Sequence, residues 1–133
     1  MTEREAKAEV DTKRLIAYWV LTGMVIVAES GAGFSMLTGA QGPVEGVVGR
    51  LGYPLYFLTI LGSFKIAGVI TLAAPKLPRL KEWAYAGFAF DFIGAAASHI
   101  LYGDGLNKIA PPLVILSVLV GSYLLRPADR RLV

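Results

Sequence analysis

Four apolar stretches, Leu15 to Leu37, Leu51 to Ala74, Glu82 to Gly103 and Ile109 to Leu125, are separated by short segments of glycine, proline and charge. Each is close to the roughly 20 residues that a helix needs to cross a bilayer, so the pattern predicts four membrane-spanning helices. Residues 1–14 have no apolar run of their own and are not a signal peptide. There Thr2 and Glu5 fit a capping box, while Glu3 with Lys7 and Glu9 with Lys13 set opposite charges one turn apart. The segment therefore predicts a solvated helical extension. Residues 38–50, rich in glycine and carrying Pro43, predict a loop with one short turn after the proline. The turn at 75–81, PKLPRLK, stops the second span with two prolines and is expected to present three basic side chains at the surface. Pro54, Pro111 and Pro112 fall near helix starts, where a missing N–H costs little.

The resulting division is an extension at 1–14, a four-helix domain at 15–125 and a basic polar tail at 126–133. Short turns between successive spans favour neighbours packed side by side, so the fold class is all-α, an integral membrane four-helix antiparallel bundle running up-down-up-down. Small residues mark the helix contacts expected where lipid supplies no hydrophobic drive: Gly31, Ala32, Gly33 and Ser35 in the first span, Gly62 and Gly68 on either side of Lys65 in the second, and Ser117, Gly121 and Ser122 in the fourth. Tyr18 with Trp19, and Trp83 with Tyr85, suit interfacial aromatic belts. Lysine and arginine outside the spans concentrate in the N-terminal extension, the 75–81 turn and the tail, against only Arg50 and Lys108 on the other side. The positive-inside rule then predicts cytoplasmic termini.

Composition agrees with a membrane environment: 55% of the 133 residues are hydrophobic and the mean hydropathy is +0.58. The absence of cysteine removes disulfides, thiolate metal sites and cysteine nucleophiles. A net charge of +3 does not indicate nucleic acid, because the basic residues lie at helix ends and form no continuous patch. Gly46, Gly49 and Gly52 lack the strand and the Lys-Ser/Thr pair of a phosphate loop. With one histidine and no cysteine, no metal site is expected.

The chemistry lies in four ionisable residues inside the spans, Glu29, Lys65, Asp91 and His99. Such groups are rare at membrane depth, and usually turn towards a bundle interior or a wet cavity. At about 1.5 Å per residue, counted from the terminus-bearing end of each span, Lys65 and Asp91 both come out about 13–14 Å deep, Glu29 about 21 Å and His99 about 25 Å. The depths predict, as the simplest arrangement, a Lys65–Asp91 pair near mid-membrane and a Glu29–His99 pair nearer the other side, with one continuous network as the alternative. Placing an Asp and a Lys there unpaired would cost about 5–7 kcal/mol together, so they must find partners. Asp91, Ala95, Ser98 and Tyr102 share one helical stripe, with His99 at its edge. Glu29, Lys65, Asp91, Ser98, His99 and Tyr102 are therefore the candidate polar network. It either fixes helix register or lines a cavity for a head group, a solute or a proton.

The segments GSFKIAG at 62–68 and LPRLKEWAYAGFAFDFIGAAASH at 77–99, with Glu29, resemble the DoxX-like family of small four-span membrane proteins, and the likeness extends from about Trp19 to Leu125. The resemblance implies a four-helix bundle in a bacterial cytoplasmic membrane. The family takes its name from a membrane subunit of a thiosulfate:quinone oxidoreductase. Without a nucleophile, metal cluster or cofactor fingerprint, the expectation leans away from an enzyme. The leading reading is an accessory protein that binds a small amphiphile, a quinone or a lipid, in support of a membrane redox partner. The alternatives are a proton-coupled or small-solute transporter and a structural protein with a register-fixing ionic network. The lipid bilayer is the one partner required, and a homo-oligomer is left open.

Overall fold

The computed structural model describes residues 1–132, so the last residue of the predicted tail lies outside the described residues. Helix α1 spans Glu3–Leu37, α2 Leu55–Ala73, α3 Pro78–Tyr102 and α4 Leu106–Leu124. All four are long and apolar enough to cross a membrane, and no strand occurs among the described residues. They form a closed antiparallel ring in which α1 packs on α2, α2 on α3, α3 on α4 and α4 on α1. The termini and the α2–α3 turn occupy one end, called here the terminal end; the α1–α2 and α3–α4 connections occupy the loop end. Many large apolar side chains point outward, among them Val27, Phe34, Phe90 and Leu101. Such a surface belongs in lipid.

α1 has 35 residues, about 52 Å at 1.5 Å per residue, against about 30 Å of hydrocarbon. Its first turns therefore project beyond the bundle, exposed as far as Ile16. The capping box forms as the sequence predicts: Glu5 N donates to Thr2 Oγ1 at 3.2 Å and Thr2 N to Glu5 Oε2 at 2.8 Å. Glu9 and Lys13 pair at 2.9 Å.

Three seams hold the ring in different ways. Between α1 and α2 the backbones meet at Gly33 and Gly62: a Cβ on Gly62 would lie 3.0 Å from the Gly33 carbonyl oxygen, and one on Gly33 3.2 Å from that of Gly62. Where α1, α3 and α4 converge, buried hydroxyls link up, with Thr22 Oγ1 2.5 Å and Tyr85 Oη 2.6 Å from Ser122 Oγ. The α2–α3 seam is instead bridged by long side chains, and at Gly68, whose hydrogen faces the Phe88 ring, an α3 side chain packs directly on the α2 backbone. A core of Val25, Val69, Leu72, Tyr85, Phe88, Phe92 and Leu119 fills the half of the bundle nearer the terminal end.

Several local expectations change. Residues 41–50 are helical, not a loop: a turn at Gln41–Pro43 runs into a π-helical stretch, Val44–Arg50. Pro43 sits where its missing N–H is harmless, and Gln41 Nε2 donates to Glu45 Oε1 at 2.7 Å one turn on. α4 begins three residues before the expected Ile109, which places Pro111 and Pro112 inside it. The aromatic belts divide, with Trp19 and Trp83 exposed but Tyr18 and Tyr85 buried. Lys81, expected at the surface, is fully buried, and so nearly are Arg126 and Arg130 of the tail.

Candidate functional site

Lys65, on the middle of α2, is 6% exposed, and its Nζ bonds both Glu29 Oε2 of α1 and Asp91 Oδ2 of α3. The Lys65–Asp91 pair is the one the matched depths predict. Glu29 joins the same lysine and does not reach His99. The physical reason lies in where α1 enters the bundle. Gly33 of α1 meets Gly62 of α2 backbone to backbone, so Glu29, four residues nearer the terminal end, comes level with Lys65, three residues nearer it; counting from Leu15 sets Glu29 too deep.

His99 pairs with Asp104, its Nδ1 2.7 Å from Oδ2; the carboxylate can only accept, so Nδ1 carries the proton. Asp104 also accepts from both terminal nitrogens of Arg50, which lies over the Tyr102 ring at 4.5 Å. The Arg50 guanidinium, and secondarily His99, hold the Asp104 carboxyl down at about 2. Ser98 Oγ is 2.6 Å from Tyr53 Oη and donates to Gly94 O. This loop-end clamp ties the π-helical connection to the C-terminal end of α3. Arg50, Tyr53 and Asp104 are absent from the sequence-predicted network. A signal did exist for Asp104, a lone acid between Gly103 and Gly105 five residues after His99.

Between the clamp and the packed core lies a cleft of about 990 Å³, at the upper end of the range for small-molecule pockets. Glu29, Lys65 and Asp91 contribute to it at mid-depth, Tyr53, Ser98 and His99 near the loop end, and Phe57, Phe64, Phe88, Phe92 and Trp83 supply aromatic wall. Gly87, Gly94 and Ala95 keep the α3 side low. Phe64, Trp83 and Phe90 line the cleft and are also 69–75% exposed on the outer surface. The space is therefore lateral, open between α2 and α3 towards the bilayer. Of the predicted residues, Glu29, Lys65, Asp91, Ser98 and His99 border this space; Tyr102 stands outside it, half-exposed beneath Arg50.

The terminal end is filled. Lys81 Nζ donates to Thr71 O at 2.8 Å and Ala74 O at 2.5 Å, and Arg130 to Leu72 O, so two cations satisfy carbonyls at the end of α2, where the helix dipole favours positive charge. Arg126 bonds Glu82 at 2.5 Å and stacks on Tyr123 at 3.7 Å. Among the described residues no group of three His, Asp or Glu side chains could hold a metal ion.

A family model described as the DoxX-like family matches residues 20–122, more than half of the chain. No curated protein and no solved structure matches.

Proposed function

Since the chain belongs to the DoxX-like family, we propose that this multi-pass membrane protein admits a small lipid-soluble amphiphile from the bilayer into the α2–α3 cleft and holds it for a membrane redox partner. A quinone or a lipid is the candidate occupant. One observation carries the reading: a ligand-sized, largely apolar cleft with a buried floor of ionisable groups opens sideways between two membrane helices. Ligand pockets in general combine apolar walls with a few convergent polar groups. The transport alternative requires a polar path reaching both ends, and the Lys81 and Arg130 side chains packed at the terminal end argue against one. The protein resides in a bacterial cytoplasmic membrane with its termini in the cytoplasm, in keeping with the basic residues at the terminal end.

Gly94 supplies the test. It lines the cleft, and a Cβ there would meet nothing within 4 Å, so the backbone accepts a side chain, and Gly94→Leu puts one into the space while improving helix propensity. Native mass spectrometry of protein extracted from its own membrane should show a bound quinone or lipid on the wild type. The adduct should be lost from Gly94→Leu at unchanged thermal stability. An adduct retained by the variant, or none on the wild type, overturns the reading.

A further inference from the structure

The floor of the cleft has more acidic than basic groups. Glu29 and Asp91 bring two carboxyl groups and Lys65 one amine, and no other ionisable acid or base borders the cleft apart from His99, already engaged with Asp104 at the loop end. Lys65 binds one oxygen of each carboxylate. Within the described residues Glu29 Oε1 and Asp91 Oδ1 have no hydrogen-bond partner, yet no unpartnered polar side-chain atom is sealed from space. Both residues line the cleft, the space from which a donor can reach these second oxygens.

From this arrangement we infer that the cleft selects an amphiphile with a cationic head, an ammonium or a comparable lipophilic monocation, over neutral or anionic molecules of the same size. The inference rests on the amphiphile-binding reading above. With both acids ionised the floor carries a net negative charge, which is costly in low dielectric unless a positive charge joins it, and a cationic head supplies that charge directly beside Asp91. The walls suit the same chemistry, because aromatic faces attract desolvated cations. Phe92 already has the Lys65 ammonium 5.7 Å from its ring centroid, and Phe88 stacks beside it. A quinone brings carbonyl acceptors and leaves the two carboxylate oxygens unmatched. A lipid-like molecule with an ammonium head matches them, while its apolar body lies along Phe57 and Phe64 towards the bilayer.

Two size-matched lipophilic ions of opposite charge provide the test. Tetraphenylphosphonium and tetraphenylborate are titrated into the wild type in nanodiscs of zwitterionic lipid, with protein-free nanodiscs subtracted. The expected result is saturable, near-stoichiometric binding of the phosphonium and at least tenfold weaker binding of the borate. Asp91→Asn and Glu29→Gln, each neutralising the floor, should weaken phosphonium binding about tenfold or more, and Gly94→Leu should abolish it. The two ions decide the matter on the wild type even where a variant fails to fold. Equal or tighter borate binding, or phosphonium affinity untouched in both charge variants, overturns the inference. A neutral molecule co-purifying in the cleft and not displaced by phosphonium overturns the cationic preference while leaving amphiphile binding intact. If no co-purifying molecule and neither ion occupies the cleft, both readings fall.

Discussion

Lys65 stands between two acids from two neighbouring helices, so its removal is not equivalent to theirs. Lys65→Met strands two carboxylates in low dielectric, and breaking a buried ionic contact in this way costs about 3–5 kcal/mol. Adding Asp91→Asn should recover only part of that loss, because Glu29 is still uncompensated; adding Glu29→Gln as well should recover most of the remainder. Thermal denaturation in one detergent across the series measures this. Strictly additive losses would show that the three groups do not act together. Asp104 offers a pH-dependent counterpart. Its carboxyl is held at about 2 against an ordinary 3.8, so the folded pKa is depressed. The clamp's contribution is then complete above the unfolded value and fades as pH falls through the folded one. The stability advantage of the wild type over Asp104→Asn should therefore be full at pH 5 and mostly lost by about pH 2; an advantage that persists unchanged to that pH would dissociate Asp104 from the clamp.

Helix ends are where the elements of this bundle are secured. The carbonyls of Thr71, Leu72 and Ala74 at the end of α2 are satisfied by Lys81 and Arg130. Arg130 comes from a short 3₁₀ turn, Ala128–Arg130, that brings the tail back onto the bundle. Its guanidinium lies over the Trp19 ring at 4.6 Å while bonding Tyr18, so one side chain fastens the tail to both α1 and α2. Arg130→Met keeps much of the apolar stem but leaves the Leu72 carbonyl unpaired, at about 1–3 kcal/mol. Arg131→Met, at an exposed position, should cost much less. Equal melting temperatures for the two variants would mean that the tail does not close the terminal end.

For the whole molecule, the proposed orientation places the terminal end in the cytoplasm. The chain has no native cysteine, so single cysteines can be introduced without background. A cysteine at Gln41 should react with an impermeant thiol reagent in intact cells and one at Lys76 should not; both native side chains are exposed. The opposite pattern would invert the protein. The same molecule-wide view explains where space is left open. The α1–α2 seam is drawn together by Gly33 and Gly62, and the α3–α4 side by Tyr85, Ser122 and the Glu82–Arg126 pair. The α2–α3 seam, spanned by Tyr53 to Ser98 and Lys65 to Asp91, is propped at side-chain length, and the cleft occupies the gap.

Hydrophobic run length alone determines that the chain has four membrane helices, because a bilayer demands internally bonded backbone over a set span. The cap at Thr2 is equally local, since its partners lie within one turn. The Lys65–Asp91 pairing is legible because adjacent antiparallel helices joined by a short turn leave little freedom in relative depth. Glu29 is harder to place: α1 continues unbroken from the extension into the bundle, and nothing in its sequence says at which residue the neighbours begin. The burial of Lys81, Arg126 and Arg130 is not legible for a related reason. A basic residue at a span end reads as solvated until the fold brings it a carbonyl, a carboxylate or an aromatic face from elsewhere in the chain. The cleft itself belongs wholly to the tertiary structure, because its volume depends on the distance between α2 and α3, and long bridging side chains, not either helix's own pattern, set that distance.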